Sequence, residues 1–164
     1  MKYLLIVLFL VVGIFMRIMP FAPNFTPLLS IALLSALYTK NRYFIILPIL
    51  IMLLSDLIIG NHVTAFWVYT SLSIIFMLGY FVNASKYFQI LKYSILSALI
   101  FFIVSNFGVW ITGGYTFDIN GLLSCYIAAI PFFKNTLFST CLFSLSIHFI
   151  VNLIPAFYKQ IRVN

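Results

Sequence analysis

The chain has 164 residues, of which 65% are hydrophobic and 7% charged, with a formal net charge of +7 and a mean hydropathy of +1.20. A soluble domain carries roughly 25% charged residues, so this chain cannot cover a water-facing surface, and composition indicates a single all-α integral membrane domain over residues 1–164. The nine Lys and Arg are too dispersed to track a phosphate backbone, which argues against a nucleic-acid partner.

The chain opens with "MKYLLIVLFLVVGIFMRIMP". Lys2 followed by an apolar run resembles a secretory leader, but no small-x-small cleavage site follows and Arg17 sits where one belongs, so the segment reads as a retained first helix. Further apolar runs fall at about 27–39, 43–60, 64–82, 87–106 and 121–157, each a candidate span. Pro27 suits the first turn of its helix. The last run is too long for one straight crossing and contains Pro131, which lacks the N–H a helix interior needs. A half-helix at about 120–131 and a span at about 133–157 are therefore predicted. The expected architecture is a six-transmembrane-helix bundle with a short re-entrant or interfacial half-helix before the last span.

Basic residues orient the bundle. With Lys2 in the cytoplasm and the spans alternating, Lys40, Arg42, Lys86, Lys159 and Arg162 all fall inside, and only Arg17 and Lys134 fall toward the outside. Both termini are then cytoplasmic, in a bacterial inner membrane. The scarce polar groups collect at the outer ends: Arg17, Asn24, Asp56, His62, Asn106, Trp110, Tyr115, Asp118, Tyr126 and Asn135.

Asp56 lies in "IMLLSDLIIGNH", and Arg17 is its natural partner. A carboxylate in an apolar span costs several kcal/mol unless it is paired or solvated. Such a pair either staples two helices or also floors a solute cavity. The stretch "NFGVWITGGYTFDINGLL" combines two adjacent glycines with Asp-x-Asn-Gly, a turn signal, and Asn120 is positioned to cap the helix that follows. Irregular backbone at membrane depth is tolerated where it lines a cavity or is buried in protein. Thr140, Ser144, His148 and Asn152 recur every four residues as one polar stripe suited to interhelical hydrogen bonding. Ala32-x-x-x-Ala36 is a face that permits close helix approach. Cys125 and Cys141 read as small apolar core residues, and no metal-ligand spacing is present. No phosphate-binding glycine loop, HExxH or GxSxG occurs, so no cofactor and no catalytic residue is expected.

The segments "RIMPFAPNFTPLLSIALLSALY", "PILIMLLSDLIIGNH", "SNFGVW" and "GLLSCYIAAIPFFKNTL" resemble an uncharacterised bacterial family of small integral membrane proteins often labelled transport proteins. The layout is in turn similar to the substrate-binding S components of energy-coupling factor (ECF) vitamin transporters. That resemblance implies six membrane helices, a solute site near the outer face, and a lid in the loop after the first helix, here "PFAPNF". It also implies coupling through an alanine face, here Ala32 and Ala36, to a membrane scaffold driven by ATPases. In this chain the alanine pair lies on the second apolar segment, whereas S components usually carry it on the first.

The expected function is a substrate-binding membrane subunit of an uptake transporter. It would capture a small vitamin-like solute with Arg17, Asn24, Asp56, Asn106, Trp110, Tyr115, Asp118, Tyr126 and Asn135 as the site. The alternative is a non-catalytic assembly subunit that docks a partner protein. A membrane enzyme is disfavoured by the shortage of acids and by the lack of a nucleophile–base pair.

Overall fold

The computed structural model describes residues 2–19, 22–83 and 86–153. These form helices α1 (Lys2–Ile18), α2 (Leu28–Thr39), α3 (Ile46–Ile59), α4 (Ala65–Leu78), α5 (Tyr87–Val109) and α6 (Ile119–Leu153). Short 3-10 turns at Arg42–Ile45 and Gly79–Phe81 and a wide π-type turn at Trp110–Gly114 join or extend them. Each apolar run of the sequence becomes one helix. Among the described residues, three helical stretches, Arg42–Ile59, Tyr87–Gly114 and Ile119–Leu153, are long and apolar enough to cross a membrane by length and composition.

The expected break at Pro131 does not occur. Residues 119–153 form one helix of 35 residues with Pro131 inside it, about 52 Å long at 1.5 Å per residue. Continuing past the proline forfeits one backbone bond, to the Ile127 carbonyl, whereas ending the helix would release several N–H and C=O groups at once. The half-helix is therefore the first third of α6. The predicted stretch beyond Leu153, with Lys159 and Arg162, lies outside the described residues.

Helix α2 is the hub. Ten of its twelve residues are buried, and it packs against α3, α4, α5 and α6. A helix that is apolar all round belongs in an interior. Those four helices surround it, α1 packs on α3, and all five expose large apolar side chains, among them Phe15, Leu57, Phe66, Phe88 and Ile127.

Chain direction alternates. Gly13 lies against Ile51 and Arg17 against Asp56, so α1 and α3 run parallel. Ser30 bonds Thr140 and Tyr38 bonds His148, so α2 and α6 also run parallel. Asn106 meets Cys125 while Tyr87 meets His148, so α5 is antiparallel to α6. One end of the bundle thus gathers Lys40, Arg42 and Lys86, with Lys40 donating to the Tyr80 carbonyl at 2.9 Å. The opposite end carries Arg17, Asp56, His62 and Trp110.

Two features lock α2 in place. On one side Gly79 meets it: an added Cβ would fall 2.2 Å from the Leu33 carbonyl oxygen and 2.7 Å from the Ala36 Cβ. On the other side runs the α6 polar stripe, used as expected between helices. Ser30 Oγ donates to the Thr140 carbonyl at 2.9 Å, and Ser144 Oγ donates to Ser30 Oγ at 3.0 Å. His148 bonds Tyr38 through Nδ1 and Asn152 through Nε2, the latter at 3.0 Å. All of these are buried except Asn152, which is half-buried.

Ala32 and Ala36, expected to face a scaffold subunit, are fully buried within the chain. The small face does permit close approach, and Gly79 next to Ala36 makes that approach from within the same chain. Substituting Gly79 by Val is expected to destabilise the fold by about 1–3 kcal/mol through overpacking against backbone. Thermal denaturation in detergent checks this, with exposed Leu57→Val as a control that leaves the midpoint unchanged.

Candidate functional site

Two polar constellations occupy the end of the bundle away from Lys40 and Arg42. The first is the ion pair foreseen in the sequence. Arg17 Nη2 donates to Asp56 Oδ1 at 2.7 Å, while its Nη1 faces the Met52 sulfur. The Tyr69 hydroxyl adds a longer bond to Asp56 Oδ2 at 3.4 Å. Asp56 is 3% exposed, and the Arg17 Nε is buried without a partner among the described residues. Asp56 lies in the last turn of α3, where Gly60 closes the helix at φ +103° by donating its N–H to the Asp56 carbonyl at 2.8 Å. The pair therefore ties α1, α3 and α4 together. Neither member is among the lining residues of the cavity described next.

The second constellation is a partly open cavity of about 260 Å³ between α4, α5, α6 and the segment before α2. Its polar wall groups are Asn24, His62, Thr64, Ser105, Asn106 and Thr136. Its apolar walls are Phe101, Phe102, Phe132 and Phe133, with smaller side chains such as Ala129 between them. Among the described residues, no Asp, Glu, Lys or Arg contributes to this lining. The cavity lies beyond the N-terminal end of α2. On α6, Thr140 and Ser144 meet Ser30, whereas the cavity residues 129–136 lie nearer the start of that helix.

The segment before α2 is anchored to α6 beside the cavity. Asn135 Nδ2 donates to the Pro23 carbonyl at 3.1 Å, and Ser139 Oγ to the Asn24 carbonyl at 3.4 Å. Asn24 adopts a left-handed backbone at φ 61°, which asparagine tolerates better than most residues. Of the "PFAPNF" loop, Pro20 and Phe21 lie outside the described residues.

The nine sequence-predicted site residues therefore divide. Asn24 and Asn106 line the cavity, and Asn135 braces its rim. Tyr126 donates to the Ile103 carbonyl at 2.7 Å and buttresses Phe102 edge-on, with ring centroids 5.5 Å apart. Arg17 and Asp56 form the separate staple. Trp110, Tyr115 and Asp118 belong to the α5–α6 turn and do not line the cavity.

That turn is closed by its own side chains. Gly113 takes φ +93°, Trp110 Nε1 donates to the Thr116 carbonyl at 3.0 Å, and Trp110 packs on Phe117. Asp118, not Asn120, caps α6: its Oδ1 accepts from the Gly121 amide at 2.6 Å and from the Thr116 hydroxyl at 2.8 Å. These two bonds, the Gly121 amide first, hold the Asp118 carboxyl below the usual carboxylate range. Sequence reasoning missed the cavity's aromatic walls. The phenylalanines sit in apolar runs and carry no signal that separates a cavity wall from a lipid-facing ring.

Three outcomes follow from these contacts. Asp56→Ala leaves Arg17 uncompensated and should cost about 3–5 kcal/mol, whereas Arg17→Met with Asp56→Leu recovers most of the loss; chemical denaturation of the two variants measures this. Asp118→Ala should loosen the turn, read as a red shift of tryptophan emission. Because the folded carboxyl titrates below its unfolded value, the wild-type cap is intact above the usual carboxylate range. It is lost as pH falls through the lowered folded value, so the same red shift should appear in wild type only on that acid side.

A family model described as a family of unknown function (DUF6580) matches residues 1–161. No match was found among curated proteins or among solved structures. Coverage of nearly the whole chain shows that this protein belongs to the DUF6580 family, whose function is not known.

Proposed function

We propose that the chain is a polytopic protein of the bacterial inner membrane that captures a small, vitamin-like solute at its extracytoplasmic end. It would act there as the substrate-binding subunit of an uptake transporter energised by partner subunits. The supporting observation is the cavity of about 260 Å³ with four phenylalanines and six polar groups. A mostly apolar hollow with a few polar groups is the usual design of a small-molecule site. The apolar surfaces of five helices supply the lipid-facing belt. Lys40, Arg42 and Lys86 at the opposite end support a cytoplasmic position for that end by the positive-inside rule, and with it an outward-facing cavity. With Ala32 and Ala36 interior, coupling to partner subunits falls to the exposed faces of the peripheral helices.

A second reading, a non-catalytic assembly subunit, draws on the α5–α6 turn, where Phe117 and Ile119 are 69% and 75% exposed. The two readings separate by mutation. Ala129→Trp fills the cavity from α6, and Asn106→Leu removes an amide while keeping the branched shape of the side chain. Both should abolish a co-purifying small molecule, seen by native mass spectrometry of protein taken from its own membrane into nanodiscs. Phe117→Glu should leave that molecule bound. Retention of the molecule in both cavity variants, together with loss of a protein partner in Phe117→Glu, would establish the assembly reading instead.

A further inference from the structure

The cavity wall restricts the chemistry of what it can hold. Ser105 Oγ donates to the Phe101 carbonyl at 2.6 Å and Thr136 Oγ1 to the Phe132 carbonyl at 3.0 Å, each four residues back in its own helix. Asn106 Nδ2 donates one hydrogen to the Phe102 carbonyl at 2.7 Å. The hydroxyl hydrogens on these two helices are therefore committed to backbone, and what Ser105 and Thr136 present further is lone pairs. With no Lys or Arg in the wall among the described residues, an anion would meet no Lys or Arg counter-charge, only the N–H and O–H groups of Asn24, His62, Thr64 and Asn106. A cation would find no carboxylate, since Asp56 is taken by Arg17 outside the lining. Burying an unpaired charge costs several kcal/mol, and a phenylalanine face returns only about 0.5–2 kcal/mol to a cation. The aromatic wall is fixed: Phe102 packs on Phe133 with centroids 4.8 Å apart and is buttressed by Tyr126. A hollow of about 260 Å³ is below the roughly 300–1,000 Å³ of common ligand pockets and has room for one or two rings within its walls.

We infer that the ligand is an uncharged ring compound that donates hydrogen bonds, a neutral heterocycle or aromatic amide bearing N–H groups, and not a carboxylate, a phosphate ester or an organic cation. This rests on the cavity being the solute site.

The test has two arms, each run on wild type and on the Ala129→Trp and Asn106→Leu variants in nanodiscs. The first identifies the co-purified molecule by accurate mass and fragmentation. The second titrates a matched set with one ring and three charges: nicotinamide, nicotinate and 1-methylnicotinamide. The expected result is a cavity-dependent molecule that is neutral at pH 7, and an amide bound at least about tenfold more tightly than its acid or its cation. A cavity-dependent molecule that is an acid, a phosphate, a cation or a lipid overturns the inference and leaves the solute site standing. So does an acid or cation probe that binds as tightly as the amide. Absence of variant-sensitive binding in both arms overturns the inference and the solute site together.

Discussion

The structure depends on the close approach of one short helix to its neighbours. Helix α2 has twelve residues, ten of them buried, with Gly79 against Ala36 on one flank and the Ser30–Ser144 and Tyr38–His148 bonds on another. In a membrane, which three of the described helical stretches are long and apolar enough to cross, leaving water drives nothing, because lipid tails are as apolar as leucine. What remains is contact at small residues and hydrogen bonding between helices, and α2 is held by both. The polar groups of the stripe on α6 are few, yet each finds a partner on another helix or on its own. Satisfied networks of this kind favour one arrangement of a bundle over its alternatives.

Much of this was legible in the sequence, for identifiable reasons. Helix positions follow from apolar runs, and those were read at nearly their structural bounds. The Arg17–Asp56 pair was legible because an acid this deep demands a base, and few bases exist. The stripe from Thr140 to Asn152 was legible because a four-residue period places side chains on one helix face. Ala32 and Ala36 show the boundary of such reasoning. A small-residue face states that something comes close and does not say what. Gly79 lies more than forty residues away in sequence and carries no mark of the pairing.

Local reading makes Pro131 a helix breaker and the polar stretch around 110–120 a cluster of ligand groups. In the fold each is governed by backbone hydrogen bonding. One lost bond at Pro131 is cheaper than a broken helix, and Asp118 spends its carboxylate on the Gly121 amide three residues on. The Asp118-x-x-Gly121 spacing was visible in advance, and it is the spacing of an N-cap residue and its N3 amide. A polar cluster in an apolar chain is thus claimed first by unsatisfied backbone, and only the remainder is free for a ligand.

The location of that remainder follows from length. At 1.5 Å per residue α2 rises about 18 Å, whereas the hydrocarbon core is about 30 Å thick. The surrounding α5 and α6 are long enough to cover the difference and α2 is not. A bundle built around a central helix that stops short must fill the space above it with chain or leave it hollow. Here it does both. The segment at Pro23 and Asn24 is tied across the gap by Asn135 and Ser139, and the volume left between it and the walls of α5 and α6 is the cavity.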